Sequence, residues 1–190
     1  NRLLEKNSRI IYDNRILESK LLKNISIKRK LNLITIGDKN SNLKITKHKF
    51  IGNQQEVKFI FKNDEYSFTT NLIGKIQIKN LIMAIIAANS SGLSMKRIIK
   101  SIHKIKPVKG RLEQIGNLKN NSKVILDYAH TPHALKTCLL NLRSQFKLSK
   151  ISIVFGCGGN RDKSKRQIMG KIANDLCDRI YLTDDNPRNE

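Results

Sequence analysis

The order of apolar and polar positions gives the chain two halves with different rhythms. In the first half, Arg9 to Tyr12 reads as a short strand, and the apolar spacing near Ile16 to Leu22 predicts an amphipathic helix. Segments rich in β-branched and aromatic residues follow at Leu31 to Ile36, Lys44 to Phe50 and Val57 to Phe61, and predict strands. Leu81 to Ala88 is apolar on every side, the pattern of a buried helix rather than a surface one. Ser94 is placed to cap a further helix whose Met95, Ile98, Ile99 and Ile102 share one face. Pro107 and Gly110 then break the helical spacing, and a domain boundary is expected there.

Beyond the break, strand and helix alternate: Val124 to Asp127, a helix from Pro132, Ile151 to Phe155, a helix from Lys165, and Ile180 to Thr183. This alternation predicts an α/β domain with a parallel sheet. Thr131 is set to cap the first of these helices with Pro132 at its first position, and Leu135, Cys138, Leu139, Leu142 and Phe146 form its apolar stripe. Ile168, Ile172 and Leu176 form the stripe of the second.

Composition narrows the classes. The 190 residues are 39% hydrophobic, enough for a buried core. Leu81 to Ala88 is the longest apolar run, far short of the roughly 20 residues of a membrane span, so a cytoplasmic location and no membrane partner are expected. Cys138, Cys157 and Cys177 are odd in number, widely spaced and free of any C-x-x-C pair, which argues against a disulfide framework or a zinc site. A net charge of +22 would suit a nucleic-acid binder, but the lysines are spread from Lys6 to Lys171 and aromatics are only 5%. Most of the lysines therefore read as a solvated face, and no nucleic-acid partner is expected. Asn1 at the start and a polar turn at the end suggest an internal piece of a longer protein.

In open α/β sheets, ligands gather beyond the carboxyl ends of strands, and three such loops carry chemistry. Asp127-Tyr128-Ala129-His130-Thr131-Pro132 sets a carboxylate and an imidazole three residues apart at a helix start. They suit a ribose hydroxyl, a metal-bound water or a phosphate oxygen, or else a turn in which backbone N–H groups satisfy Asp127. Gly156-Cys157-Gly158-Gly159-Asn160-Arg161-Asp162-Lys163 can bring backbone N–H groups to an anion, or simply connect strand to helix. Arg161 favours binding, since a guanidinium clamps a carboxylate bidentately. Asp184-Asp185-Asn186-Pro187-Arg188 offers acceptors, an amide and a cation, which suits a ligand with both ammonium and carboxylate, or forms a solvated turn. The P-loop pattern G-x-x-x-x-G-K-[ST] is absent.

Together with Gly110-Arg111-Leu112-Glu113, these segments resemble the Mur ligase family in order and spacing, densely from about Leu72 onward and sparsely before it. The resemblance implies an α/β chain in which residues 1–109 are the C-terminal part of the central ATP-binding domain and residues 110–190 open a Rossmann-like C-terminal domain. It implies an ATP- and Mg2+-dependent amide ligase, acting as a monomer, that activates a carboxylate as an acyl phosphate for attack by an amine. The resemblance points to the branch that adds meso-diaminopimelate to UDP-N-acetylmuramoyl-L-alanyl-D-glutamate in peptidoglycan synthesis. Position by position, Asn80 resembles the adenine contact, with a helix cap as its plain alternative. Arg111 resembles the arginine reaching the nucleotide phosphates, and Asp127 and His130 the ribose and phosphate contacts. Arg161 and the segment Asp185, Asn186, Pro187 and Arg188 resemble the diaminopimelate site, with Arg188 pairing with the distal carboxylate that lysine lacks.

The chain departs from the family in Ile76-Gln77, where Phe-Asn is usual, and in Tyr12-Asp13-Asn14, where an Asn-Ala-Asp-Asp run is usual. The family's P-loop, magnesium ligands and modified lysine have no counterpart here. No catalytic residue or metal ligand is assigned within the chain, and the 190 residues alone are expected to be inactive. Two other readings remain: a related ligase of the cyanophycin or folylpolyglutamate synthetase type, and a non-catalytic basic module that binds nucleic acid.

Overall fold

The computed structural model describes residues 5–37 and 40–190. They form two compact units, one running up to Leu72 and taking in Ile76–Lys106, the other comprising Ile73–Lys75 and Pro107–Glu190.

The first unit is built on a five-stranded sheet in the order β1 (Arg9–Asp13), β2 (Asn32–Gly37), β3 (Leu43–Ile51), β4 (Gln54–Phe61), β5 (Asp64–Thr70). β1 and β2 run parallel, as do β2 and β3 over two residue pairs, whereas β3, β4 and β5 form an antiparallel meander. The strand expectations hold to within a few residues, and β5 is an addition. It follows a two-residue turn, Lys62-Asn63, with both residues at positive φ, the geometry that lets a tight hairpin keep the natural twist of its strands. Along β4, Gln55, Val57, Phe59 and Phe61 are buried in strict alternation, so one face of the sheet is committed to the core. Gln55 is tolerated there because its amide donates to Leu72 O at 2.5 Å and its oxygen lies 2.7 Å from His48 Nε2.

Helix α1 (Ser19–Lys28) starts later than its spacing suggests. Asp13 to Ser19 is taken up by turns, with Ile16 N–H donating to Asp13 O and Ser19 N–H to Ile16 O, and Leu17 is left in solvent. Helix α2 (Lys75–Ser90) buries Ile78, Leu81, Ile82, Ile85 and Ile86 against Val57, Phe59, Phe61 and Phe68. Burial on every side is not what the structure shows: Ala84 and Ala87 are exposed, small apolar side chains that cost little in water. Ser94 caps α3 (Met95–Ser101) by accepting from Arg97 N–H at 3.4 Å, and Met95 and Ile102 close the core.

In the second unit the strand pairing differs from the expected parallel sheet. β7 (Lys123–Leu126) pairs antiparallel with β6 (Glu113–Asn117), a polar strand with no apolar alternation to announce it. The parallel pairing is between β8 (Ser152–Phe155) and β9 (Arg179–Leu182), in register from Ser152 with Arg179 to Phe155 with Leu182. Helix α4 (Pro132–Gln145) starts as read, Thr131 Oγ1 accepting from Ala134 N–H at 3.2 Å. In α5 (Ser164–Leu176) Ile172 and Leu176 of the expected stripe pack against the core, but Ile168 is half exposed and the fully buried residues are Met169 and Ala173. Leu135, Leu139 and Met169 form a small core with Ile151, Ile153, Phe155 and Ile172 around it. Arg143 closes its far end, bonding Leu176 O, Ser149 O and the Asp178 carboxylate, which also accepts Ile151 N–H at 2.7 Å.

Candidate functional site

Gly110-Arg111-Leu112-Glu113 forms a turn, with Gly110 and Leu112 both at positive φ. Leucine seldom adopts that conformation, and here the turn is held from several sides. Gly110 N–H donates to Glu113 Oε2 at 2.8 Å, Tyr128 N–H donates to Gly110 O at 2.8 Å, and Leu112 N–H donates to Asp127 Oδ2 at 2.9 Å. Asp127 is thus engaged by backbone, as its plain reading held, though with the N–H of a different turn and not with the helix that follows it. Arg111 lies over the Tyr128 ring at 5.4 Å, a cation–π contact that fixes the guanidinium beside the same loop. The structure therefore brings Arg111, Asp127 and Tyr128 together.

His130 is exposed, with its ring edge-on to Tyr128 and Nδ1 3.2 Å from Tyr128 O. A carbonyl only accepts, so Nδ1 carries hydrogen and the neutral ring keeps its lone pair on Nε2. Such a ring offers Nε2 as an acceptor when neutral and as a donor to an anion when protonated. Lys165, which the sequence did not single out, donates to His130 O at 3.0 Å and ties this loop to α5.

The glycine loop is closed by backbone. A Cβ on Gly156 would collide with Thr183 O, and one on Gly159 with Pro187 O. Thr183 N–H donates to Phe155 O and Gly159 N–H to Asn186 O, both at 3.1 Å. These glycines therefore let the segment from Thr183 to Pro187 lie directly on the loop, a use distinct from cradling an anion. Within that segment, Asn186 and Arg188 have positive φ, and Asp185, Asn186, Pro187 and Arg188 are exposed, as is Arg161 across the loop. Asp162 lies just ahead of α5 and accepts from Ser164 N–H at 2.9 Å, and the Ser164 hydroxyl and N–H together hold its carboxyl below the usual range. Glu190, also missed by the sequence reading, binds Lys163 at 3.1 Å, pairs with Arg166 and accepts Asn160 N–H at 3.2 Å.

Asn80 lies in the first unit, exposed on α2. It is the sixth residue of that helix, so the capping role is ruled out. Nearby, Asp13 is buried and holds Arg15 through two side-chain bonds of 2.8 and 3.0 Å and Lys79 at 3.2 Å. Burial pushes the Asp13 carboxyl up, but the Arg15 guanidinium and N–H and the Lys79 ammonium outweigh it and hold the group at about 2. Of the cysteines, Cys138 is pushed up to about 12 by burial, with Asp127 and Cys177 adding to the effect, which makes it an unreactive thiol.

Among the described residues, no three His, Cys, Asp or Glu side chains gather as a metal site, and no helix is long and apolar enough to cross a membrane.

These polar loops follow the strands of an α/β fold, and sequence comparison gives the class of the chain. Residues 2–88 match the Mur ligase middle domain and residues 110–190 the Mur ligase glutamate ligase domain, so the chain belongs to the Mur ligase family. It is similar to UDP-N-acetylmuramoyl-L-alanyl-D-glutamate–2,6-diaminopimelate ligases: 41% identical over 95% of its length to that of Rickettsia felis, and 40% over 98% to that of Rickettsia bellii. It spans 33% and 39% of those two proteins. A solved diaminopimelate ligase of the same name matches 96% of the chain and 38% of its own length, with a TM-score of 0.66 and 26% identity. The folate complex of a folylpolyglutamate synthetase matches 95% of the chain and 43% of its own, with a TM-score of 0.74 but 17% identity, which shows a shared fold alone.

Proposed function

We propose that the whole protein is a cytoplasmic, monomeric, ATP- and Mg2+-dependent ligase that adds meso-diaminopimelate to UDP-N-acetylmuramoyl-L-alanyl-D-glutamate. The observation that carries this reading is identity near 40% to ligases of that name along almost the entire chain, against 15–18% to the folylpolyglutamate synthetases and other Mur ligases of like fold. On this reading residues 1–109 close the ATP-binding domain and residues 110–190 open the ligase domain. Asn80 meets adenine, while Arg111, Asp127 and His130 meet the ribose and phosphates. Arg111 is suited to that role because Tyr128 already orients it, so less freedom is lost on binding. Arg161 and Asp185 to Arg188 receive the incoming amino acid, with the Arg188 guanidinium against its distal carboxylate.

The test is phosphate release by the full-length protein with ATP, the UDP-linked dipeptide and either meso-diaminopimelate or lysine. Release is expected with diaminopimelate, and only weakly with lysine. A charge-assisted pair contributes about 1.5–3 kcal/mol, so Arg188→Ala should lower kcat/KM for diaminopimelate by roughly 10- to 100-fold and narrow the preference. Equal rates with both amines in the unaltered protein would refute the substrate assignment.

A further inference from the structure

The first turn of α5 carries charge of the wrong sign. A helix N-terminus is partially positive, yet Lys163, Lys165 and Arg166 cluster there and no acidic residue occupies that turn. Lys165 is engaged by His130 O. Lys163 and Arg166 are both engaged by one carboxylate, that of Glu190, which also accepts the N–H of Asn160 from the glycine loop. Asp162, just ahead of the helix, bonds Ser164, and Glu190 adds a second carboxylate that engages Lys163 and Arg166.

The backbone of Glu190 acts on the same segment. Its N–H donates to Pro187 O at 3.1 Å and closes a turn over Arg188, which sits at φ 57°. Asn186, at φ 46°, is held from the other side by Gly159 N–H. A left-handed conformation is unfavourable for an ordinary residue and persists only where its surroundings impose it. At Arg188 the imposing group is Glu190.

We propose that Glu190 is a positioning residue for amine-substrate recognition: gripped by Lys163 and Arg166, it seats the Asp185–Arg188 turn on the glycine loop and so fixes the direction of the Arg188 guanidinium. The proposal rests on the assignment of that turn to the diaminopimelate site. A guanidinium on a loosened turn still meets the substrate but pairs with its carboxylate less often, so the cost falls on capture of the amine and not on use of ATP.

The test uses the full-length ligase and Glu190→Gln, which keeps shape and removes charge, with Glu190→Asp as the conservative variant. In Glu190→Gln the KM for diaminopimelate should rise roughly tenfold, while the KM values for ATP and the UDP-linked dipeptide and the kcat stay within about twofold. Glu190→Asp should recover part of the loss. Amide exchange at Gly159 should quicken in Glu190→Gln while that of α4 is unchanged. An unchanged KM for diaminopimelate, or an equal rise for all three substrates, overturns the proposal. Absence of diaminopimelate-dependent activity in the unaltered enzyme would instead refute the functional reading, and the exchange of Gly159 would still report whether Glu190 holds the turn.

Discussion

The two units hold themselves together by different means. In the first, the sheet and the helices α2 and α3, with the segments that adjoin them, bring fourteen buried side chains into one continuous cluster, from Ile36 to Ile102. In the second, only Leu135, Leu139 and Met169 make up the buried cluster, and every residue of β9 is exposed. Its loops are held by backbone bonds and charged contacts: Leu112 to Asp127, Gly159 to Asn186, and Glu190 to Lys163 and Arg166. Within these 190 residues, the unit that carries most of the candidate ligand groups has the smaller buried cluster. Polar contacts of this kind fix direction better than they supply stability, since exposed ion pairs contribute little.

The strongest way to break this contrast is to open each core. Phe59 is fully buried and stacks on Tyr66 at 5.4 Å, so Phe59→Ala should cost about 3–5 kcal/mol. Leu139→Ala should cost about 2–3 kcal/mol, at the low end of its class, because its small, partly exposed surroundings can relax into the gap. Urea unfolding gives the sizes, and peptide-resolved hydrogen exchange gives the location, with Phe59→Ala loosening β3 to β5 and Leu139→Ala loosening α4 and α5. Equal costs would mean that the second core is better packed than its few buried residues indicate.

Asp13 sharpens the contrast from the side of charge. Its carboxyl is buried and held at about 2, below the roughly 3.9 of an unfolded chain. A depressed carboxylate stabilises the fold above its unfolded value, and that contribution is lost as pH falls from about 4 through about 2. The shift corresponds to about 2 kcal/mol, because the side chain is only 11% exposed. Acid titration of stability should show this loss in the first unit, and Asp13→Asn should remove the slope. If the slope persists in Asp13→Asn, other carboxylates are responsible.

How much of this the sequence could disclose follows from the same physics. Alternation and helical spacing report burial, so β4, α2 and the face of α4 were readable from Val57, Phe59, Leu81, Ile85, Leu135 and Leu139. β6 was not, because Glu113, Gln114 and Asn117 bury little and nothing alternates. β5 had a signal, the Lys62-Asn63 pair ahead of Tyr66 and Phe68, which the reading passed over. At the start of the α5 stripe Met169 is buried in place of Ile168, because both are apolar and only packing decides which turns inward. At the candidate site, residue types disclosed the chemistry but not the partners. A glycine marks a missing Cβ, and whether an anion or the carbonyls of Thr183 and Pro187 fill the space depends on chain far away in sequence. Glu190 was invisible for a similar reason, since a lone carboxylate after a polar turn shows nothing until Lys163 and Arg166 are seen beside it.

The smallest effect compares one device used in both units. Ser94 and Thr131 each cap a helix from extended backbone, at ψ 139° and 155°, and each accepts the N–H three residues on, at 3.4 and 3.2 Å. Loss of such a cap costs about 0.5–2 kcal/mol. The longer bond at Ser94 serves a seven-residue helix whose Met95 is already buried in the large core, so Ser94→Ala should fall at the bottom of that range. Thr131 starts the helix that supplies Leu135 and Leu139, two of the three buried residues of the second cluster, and Pro132 after it already has its φ fixed near the helical value by its ring. Thr131→Ala should therefore cost about 1 kcal/mol, lower the urea midpoint more than Ser94→Ala does, and quicken exchange in the first turn of α4. If Ser94→Ala proves the more costly, the first unit depends on local caps as much as the second does, and core size does not explain how the two differ.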